Sequence, residues 1–385
     1  MYERMLTDII SQGRKSILLL GPRQVGKSTL INSLRPNMTI NLASPSLFRD
    51  YTARPERLEA ELRGAGPDVK TVFIDEVQRI PELLNLVQVI LDESPDRFRF
   101  YLSGSSARKL RRGQANLLPG RIHMHYLHPL LISELGDEYD LNRVLAHGTL
   151  PGVYSETDPQ ARAADLRAYT DIYLKEEIQA EALVRNLGGF SRLLELIAIS
   201  SGRILNLNAL CGDAGVRYET ARRYIDVLED TLVMFKIPAW SRSKRAGLLT
   251  HPKVFFFDLG VRNALLRRPL DRPLSDETGL LFEHLVAYEI HRRLGSLWPE
   301  GQLFYYRTRS GTEVNFVLQF GSEIWGIEVK SSTDVTAKAL SGLGSFAECT
   351  HGVTRQIVIF NGERRQQIGN VEILPLFDFL GELPV

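Results

Sequence analysis

The sequence has little cysteine and no long apolar run. Its two cysteines, Cys211 and Cys349, lie far apart in the chain. They form neither a disulfide framework nor the paired spacing of a zinc site, which excludes small disulfide-stapled and zinc-ribbon proteins. Apolar stretches such as residues 17–20 are far shorter than the roughly 20 residues of a membrane-spanning helix. The first residues mix acidic and polar side chains with apolar ones, unlike a signal peptide. We therefore expect a cytoplasmic protein with reduced thiols and no membrane contact.

A strong net charge is also absent. The formal net charge is +1 over 385 residues, and such an average neither favours nor excludes a polyanionic partner, because charges can be segregated along the chain. Residues 186–275 contain 14 Lys and Arg against 8 Asp and Glu, so the middle of the chain is its basic part. The length predicts two to four domains.

A phosphate-binding loop is predicted near the N-terminus. Residues 16–34, SILLLGPRQVGKSTLINSL, read as an apolar strand, a loop bounded by glycines and the start of a helix. Such a loop turns backbone N–H groups toward phosphate oxygens, and the helix N-terminus adds its positive dipole end. Lys27 is expected to reach the β and γ phosphates, and Ser28 to ligate magnesium. The predicted nucleotide-binding residues are Gly21, Pro22, Arg23, Gln24, Val25, Gly26, Lys27, Ser28 and Thr29.

An acidic pair follows a second apolar strand. In residues 70–91, KTVFIDEVQRIPELLNLVQVIL, the strand ends at Asp75 and Glu76, and Pro81 opens an amphipathic helix. A carboxylate at a strand's end beside a phosphate loop suits magnesium, and the next one suits activation of the attacking water. We assign these roles to Asp75 and Glu76. The alternative is a solvated acid pair at a strand end.

Two further features of the first third have open interpretations. The strand in residues 97–110 ends in Ser103, Ser105 and Ser106, which either sense the γ-phosphate or cap a helix. Arg121, after a Pro-Gly turn, either projects across a subunit boundary as a catalytic arginine for a neighbour's nucleotide or is a solvated surface residue.

Three histidines lie close together in the sequence. His123 and His125 share one face of a predicted strand, and His128 follows them. Zinc needs further ligands at suitable spacing, and neither cysteine is near. We interpret the cluster as part of a half-exposed strand.

The segments GPRQVGKST, VFIDEVQRIP, LSGSS and LPGR resemble those of prokaryotic AAA-type ATPases with a C-terminal domain of long-unknown function, and the likeness extends through nearly the whole chain. The resemblance implies an α/β fold with an ASCE-type parallel sheet, helices on both faces and the phosphate-loop strand at its centre. It also implies ATP with Mg2+ as the ligand, and a homo-oligomer in which neighbouring subunits complete the nucleotide sites.

The basic middle of the chain has helix-turn-helix spacing. Residues 205–230 predict two helices around a glycine-containing turn, with Ala221, Ile225, Leu228 and Leu232 as the buried stripe of the second. Two β-like runs flank the basic loop at residues 241–253, which completes a winged-helix outline that the resemblance also supports. The candidate contacts to duplex or branched DNA are Arg217, Arg222, Arg223, Arg242, Lys244 and Arg245. The alternative is a winged helix that only packs against other parts of the protein.

The C-terminal part resembles the PD-(D/E)XK restriction-endonuclease-like fold. A helix brings Glu283 to the start of the unit, a strand carries Glu313 and Asn315 on one face, and a second strand carries Glu328 and Lys330. That family usually has an aspartate where this chain has Asn315.

A neutral amide at position 315 weakens the predicted metal site. Magnesium favours anionic oxygen ligands, and phosphodiester cleavage depends on metal charge to place a hydroxide. We therefore predict a vestigial nuclease site at Glu283, Asn315, Glu328 and Lys330, with Glu313 as an off-centre substitute ligand. The alternative is a structural ion-pair cluster.

These features predict four domains and several possible functions. The domains are an AAA-type ATPase domain (1–150), a helical lid or linker (151–185), a winged-helix domain (186–275) and a small α/β restriction-endonuclease-like domain (276–385). The leading hypothesis is an ATP hydrolase with catalytic Lys27, Glu76 and Arg121 that remodels or moves on DNA. The alternatives are a nucleotide-gated binding switch in defence or toxin regulation, and an ATP-gated magnesium-dependent nuclease.

Overall fold

The computed structural model describes residues 2–105, 118–174, 186–241, 251–298, 300–308, 310–335, 337–350 and 352–383. The chain folds into two compact units, residues 1–135 with 230–233 and residues 136–229 with 234–385. The predicted boundaries after residues 150, 185 and 275 all lie inside the second unit. The division into four domains stays a prediction.

The first unit alternates strands and helices. Its strands are β1 (Ser16–Leu20), β2 (Met38–Asn41), β3 (Thr71–Asp75), β4 (Arg99–Gly104) and β5 (Ile122–Tyr126). Its helices in the described residues are α1 (Met5–Gln12), α2 (Lys27–Ser33), α3 (Pro45–Ala53), α4 (Arg57–Gly64), α5 (Leu83–Glu93) and α6 (Ile132–Leu135).

The strands of the first unit form one parallel sheet in the order β2-β3-β4-β1-β5. Strand β4 is inserted between the phosphate-loop strand β1 and the strand β3 that ends in Asp75. This is the ASCE-type order, so the predicted fold class is confirmed. Because the carboxyl ends of parallel strands meet at one edge, the residues after β1, β3 and β4 converge there.

Burial explains why the apolar runs form these elements. Every residue of β1 is buried, as expected for a strand inside a parallel sheet. In α5 the predicted stripe Leu83, Leu84, Val87 and Ile90 is buried in the core of this unit. The helix begins at Leu83 rather than at Pro81, which lies in the preceding turn.

The second unit begins with helices. In the described residues they are α7 (Leu141–His147), α8 (Pro151–Ser155), α9 (Pro159–Ala168), α10 (Leu187–Ile199), α11 (Leu207–Ala214), α12 (Tyr218–Asp230), α13 (Leu259–Leu265), α14 (Thr278–Ser296), α15 (Ala337–Cys349) and α16 (Leu376–Glu382). None of the helices in the described part of the chain has the length and apolar character that a membrane span requires.

The second unit also contains two sheets. Strands β6 (Met234–Ile237) and β7 (Lys253–Phe256) form an antiparallel pair. A mixed sheet with the order β12-β13-β11-β10-β9-β8 is built from β8 (Gln302–Arg307), β9 (Glu313–Phe320), β10 (Glu323–Lys330), β11 (Arg355–Phe360), β12 (Gln366–Ile368) and β13 (Val371–Pro375). The order α14-β8-β9-β10-α15-β11 gives three antiparallel strands between two helices, followed by a strand parallel to β10.

The predicted helix-turn-helix segment forms two helices with defined ends. The Asn206 side chain accepts a hydrogen bond from the Ala209 N–H at the start of α11, and Gly215, with φ of 65°, ends that helix. Ala221, Ile225 and Leu228 are buried in α12 as predicted. Leu232 was wrongly assigned to this helix: α12 ends at Asp230, and Leu232 packs against the core of the first unit.

The region predicted as a helical lid or linker, residues 151–185, is described as far as residue 174, and that part contains helices. Helix α9 ends at Ala168 and continues as a π-helix, Tyr169–Leu174. Tyr169 is buried, whereas Ile172 is 49% exposed. Residues 175–180 lie outside the described residues.

Candidate nucleotide site and C-terminal carboxylate cluster

The phosphate loop has the backbone that its glycines predict. It joins β1 to α2, and Gly26 has φ of 93°, a conformation that glycine adopts without strain. Gly21 approaches the residue that follows β5 so closely that a Cβ on Gly21 would lie 2.2 Å from the Leu127 carbonyl oxygen. Both positions therefore require glycine for a structural reason.

The other loop residues differ in exposure. Val25 is fully buried, whereas Gln24 and Thr29 are exposed and Arg23 and Ser28 are partly buried. Lys27 is only 6% exposed, and its Nζ lies 2.8 Å from the carbonyl oxygens of both Gly21 and Pro22. The ammonium group is thus held against the loop backbone, where it can interact with phosphate oxygens.

Ser28 and Asp75 are brought together at the carboxyl edge of the sheet. Ser28 Oγ donates to Asp75 Oδ2 at 2.7 Å, and Ser103 Oγ donates to the other carboxylate oxygen. Asp75 is 6% exposed. A hydroxyl and a carboxylate are hard oxygen donors, which magnesium prefers. The residues present therefore fit Mg2+ beside a phosphate loop.

Ser103 connects the two predicted acidic residues. Besides its bond to Asp75, its Oγ accepts a hydrogen bond from the Glu76 backbone N–H at 3.1 Å. It is fully buried at the end of β4. The hydroxyl thus fixes the Asp75–Glu76 peptide. Ser106, the third predicted serine, lies outside the described residues.

Glu76 has a strained backbone conformation, and its carboxylate is bound by a neighbour that the sequence pattern did not reveal. Its φ of 61° lies in the left-handed region, which costs a non-glycine residue on the order of 1–3 kcal/mol. The Gln78 side-chain amide donates to Glu76 Oε2 at 2.5 Å and to Ser105 Oγ at 3.1 Å. Gln78 Oε1 is buried and has no hydrogen-bond partner among the described residues. Gln78 therefore holds the carboxylate that was predicted to be the base.

Arg4 supports the phosphate loop from outside the motif. Its guanidinium donates to the carbonyl oxygens of Val25 at 2.8 Å and His128 at 2.6 Å, and it pairs with Glu134 at 3.0 Å. Arg4 is 9% exposed and Glu134 is 4% exposed. No sequence signal marked this contact, because more than 120 residues separate Arg4 from Glu134.

The predicted strand that carries the histidines is β5. The rings of His123 and His125 are 6.4 Å apart, so the two side chains share a face as predicted. Burial lowers the pKa of His125, and the neighbouring His123 lowers it further. Within the described residues, no group of three or more His, Cys, Asp or Glu side chains is arranged to hold a metal ion.

The candidate DNA contacts are described only in part. Arg217, Arg222 and Arg223 are exposed at the start and along the outer face of α12. Arg242, Lys244 and Arg245 lie outside the described residues. Three helices are followed by an antiparallel strand pair, β6 and β7. The winged helix and its role in DNA binding both stay predictions.

The C-terminal candidates meet at one end of the mixed sheet, together with a lysine that the sequence analysis missed. Lys330 Nζ pairs with Glu328 Oε1 at 2.7 Å. Lys253, on β7, places its Nζ 2.9 Å from Glu283 Oε1 and 2.7 Å from Glu313 Oε1. Glu313 therefore pairs with a lysine and does not turn toward Glu328.

Asn315 is bound to the backbone of the neighbouring strand. Its Oδ1 accepts a hydrogen bond from the Val329 N–H at 2.9 Å, and its own N–H donates to Glu328 Oε2 at 3.3 Å. The β9–β10 ladder extends as far as the Phe316–Ile327 pair. Beyond that pair, side-chain to backbone bonds connect the strands, so Asn315 has a structural role here.

Comparison with known proteins gives a match for each third of the chain. Residues 13–136 match the family model described as AAA domain. Residues 138–272 and 278–379 match two families described as domains of unknown function, DUF8612 and DUF4143. The AAA match covers the whole of the glycine loop, Asp75 and Glu76. Residues 13–136 form an AAA-type P-loop ATPase domain.

Two relatives of known sequence align with most of this chain. Uncharacterized proteins of Mycobacterium tuberculosis (Rv2008c) and Mycobacterium bovis (Mb2031c) are each 25% identical to this chain over 358 residues, which is 91% of this chain and 77% of theirs.

Solved structures give looser matches. A RuvB variant from Thermotoga maritima is 19% identical, covers 63% of this chain and 84% of its own, and has a TM-score of 0.28. PCH-2 from C. elegans is 16% identical, covers 59% of this chain and 63% of its own, and has a TM-score of 0.27. Superpositions at this level carry no functional argument.

In the AAA domain, Arg121 lies at the edge of the sheet opposite to the phosphate loop. Strand β5 runs parallel to β1, with Ser16 beside Ile122 and Leu20 beside Tyr126. The strand rise separates Arg121 from the loop edge by roughly 13 Å. Arg121 pairs through two nitrogens with Asp92 on α5. It is therefore placed away from its own nucleotide site, and any catalytic role has to be played toward a neighbouring subunit.

Proposed function

We propose that this chain is a MgATP-hydrolysing ATPase that binds DNA and remodels or moves on it, and that its C-terminal domain is a nuclease-like domain without cleavage activity. The observation that carries the ATPase part is the convergence of Lys27, Ser28, Asp75 and Glu76 at one edge of the sheet, with Ser28 Oγ 2.7 Å from Asp75.

Each of these residues has a defined task in hydrolysis. MgATP, when bound, supplies the phosphoanhydride bond and the charge of the metal. The loop N–H groups and Lys27 bind the phosphate oxygens, and Ser28 and Asp75 hold the metal. Glu76 orients the attacking water and takes its proton, and Ser103 fixes the peptide that carries Glu76. Arg121 stabilises transition-state charge in the site of a neighbouring subunit, which makes the active form a homo-oligomer.

Exposed arginines support the DNA part of the proposal. Arg222 and Arg223 are exposed on α12, and Arg217 is exposed just before it, in the turn after the short helix α11. Arginines at these positions of a helix-turn-helix unit meet phosphates or base edges.

The test compares ATP turnover on different nucleic acids. Wild type and Glu76→Gln are assayed without DNA and with single-stranded, duplex and junction DNA. We expect turnover to be stimulated by duplex or junction DNA and to be lost in Glu76→Gln. If no nucleic acid changes the rate of ATP turnover, the DNA part of the proposal is wrong and the ATPase part is unaffected.

A matched pair of variants tests the helix surface. Arg222→Ala/Arg223→Ala should weaken DNA binding. It should also make the dependence of the binding constant on salt less steep, by the equivalent of about two released counterions. Arg167→Ala/Arg364→Ala removes the same charge from exposed positions outside α12 and should leave both unchanged.

A second candidate function is a nucleotide-gated binding switch in defence or toxin regulation, in which slow hydrolysis resets a conformation without translocation. The hydrogen bond from Gln78 to Glu76 favours it, because the base is engaged by a neutral amide. Single-turnover hydrolysis with tight retention of ADP supports the switch, and rapid multiple turnover on DNA rejects it.

An active ATP-gated nuclease is disfavoured by the carboxylate cluster. Glu328 is paired with Lys330, and Asn315 binds the backbone of β10. Magnesium-dependent cutting that Lys330→Ala abolishes would establish the nuclease instead.

A further inference from the structure

Three separate elements of the second unit meet at the Lys253 side chain. Lys253 begins β7, Glu283 lies on α14, and Glu313 begins β9. The lysine is 3% exposed, and its Nζ lies 2.9 Å from Glu283, 2.7 Å from Glu313 and 5.7 Å from the ring centroid of Tyr305. A buried ammonium group bridging two carboxylates is a defined site rather than a flexible surface pair.

The charges of the cluster balance without a metal. Its carboxylates are Glu283, Glu313 and Glu328, and its cations in contact are Lys253 and Lys330. Arg307 adds a third positive charge 4.0 Å from Glu313. A divalent cation binds where several anionic oxygens are left uncompensated, and this condition is not met here.

Both oxygens of Glu328 are also engaged. Oε1 pairs with Lys330, and Oε2 accepts from the Asn315 N–H. The residues present therefore do not fit the metal that a nuclease fold implies.

We propose that the Lys253 ammonium group is the resident cation of this cluster, bridging Glu283 and Glu313 in place of a divalent metal. The inference deepens the proposed loss of nuclease activity, on which it rests, and assigns the cause to Lys253 as well as to Asn315. Restoring an aspartate at position 315 alone therefore creates no metal centre.

The test measures binding of Mn2+ alone by calorimetry and by the change in melting temperature. All proteins carry Asp75→Asn, which removes the metal ligand at the phosphate loop. We expect no Mn2+ binding at the cluster in the protein that carries only Asp75→Asn, and none in the protein that also carries Asn315→Asp. Lys253→Gln/Asn315→Asp should bind Mn2+ and gain melting temperature with it, and Glu283→Gln should abolish both effects.

Control variants keep the test decisive. Lys253→Arg retains the positive charge, so Lys253→Arg/Asn315→Asp should gain no Mn2+ binding. The inference would be overturned if the protein with only Asp75→Asn, or the one with Asn315→Asp added, bound Mn2+ and lost this binding with Glu283→Gln. This outcome can be measured even if Lys253→Gln fails to fold, because these proteins keep Lys253 and their substitutions are nearly isosteric. A folded Lys253→Gln/Asn315→Asp protein that does not bind Mn2+ would also overturn the inference.

DNA cleavage separates this inference from the proposed function. Cutting by the unmodified protein with Mg2+ would disprove the inactive nuclease-like domain. Metal binding at the cluster without cutting would disprove only the role of Lys253.

Discussion

Ser28 Oγ donates a hydrogen bond to Asp75 Oδ2 at 2.7 Å, which joins the first turn of α2 to the end of β3. The two oxygen ligands that suit magnesium are thus in place on rigid elements of the AAA domain. Preorganisation of this kind lowers the cost of binding, because the side chains are ordered beforehand.

Removal of the Ser28 hydroxyl should weaken MgATP more than metal-free ATP. We expect Ser28→Ala to raise the Kd for MgATP by about tenfold, the equivalent of roughly 1.4 kcal/mol. Fluorescent nucleotide titrations with and without Mg2+ measure the difference. Ser28→Thr keeps the hydroxyl and should bind nearly as wild type does. An equal loss for both nucleotide forms would show that Ser28 contributes to the loop and not to the metal.

Release of Glu76 from Gln78 should raise basal turnover. Gln78→Leu keeps much of the volume but removes the amide that donates to Glu76 and Ser105. We expect basal ATP turnover to increase by about threefold to tenfold, which corresponds to roughly 0.7–1.4 kcal/mol and lies within the net contribution of one hydrogen bond. Steady-state phosphate release measures it, and Gln88→Leu on α5 is the matched control. Reduced turnover with normal ATP binding would show that Gln78 positions Glu76 productively.

Arg121 and its partner Asp92 can be separated by substitution. If Arg121 acts on a neighbour's nucleotide, Arg121→Ala should lower turnover by at least about a hundredfold, whereas Asp92→Ala should leave most of it. Equal, small effects of both variants would mean that the ion pair is only structural. Mixing Arg121→Ala with Lys27→Ala should recover activity, because mixed assemblies contain interfaces with one intact loop and one intact arginine.

Acid should destabilise the second unit through a buried histidine. His284 is fully buried, its Nε2–H donates to the Phe256 carbonyl oxygen, and burial lowers its pKa to about 3. The unfolded chain binds a proton below its ordinary pKa of about 6.5, whereas the folded chain does not until about pH 3. Stability is therefore complete above pH 6.5 and falls as the pH drops, by about 1.4 kcal/mol per pH unit for this group.

Urea unfolding between pH 7.5 and pH 4.5 tests this slope. His284→Gln should flatten the slope by about the stated amount, and His251→Gln, at an exposed position of the same unit, should not change it. A slope that is unchanged in His284→Gln would show that other groups govern the acid sensitivity. His147, whose pKa burial and then Arg162 lower to about 4, is the next residue to test.

Much of the AAA domain could be predicted because its signals are local. The glycine spacing, the apolar strand before the loop and the acids at the end of β3 are all encoded within short segments. The sheet order then brought those segments to one edge, as the parallel arrangement requires. Gln78 was missed since nothing in its spacing marks a side chain that turns back to Glu76.

The second unit shows where local patterns are insufficient. The faces of β9 and β10 followed from their alternation, and Lys330 does pair with Glu328. Glu313 was expected as a substitute ligand of a metal, but its partner is a lysine 60 residues earlier in the chain, on another sheet.

The sequence by itself determined the phosphate loop, the acidic pair beside it and the alternation of strands and helices, because glycine spacing and apolar periodicity act over a few residues. Only the tertiary structure decided that Arg4 supports the loop, that Gln78 holds Glu76 and that Lys253 neutralises Glu283 and Glu313. Those contacts depend on how whole helices and strands pack. Packing brings together side chains that are far apart in the sequence, and their separation along the chain does not predict their distance in space.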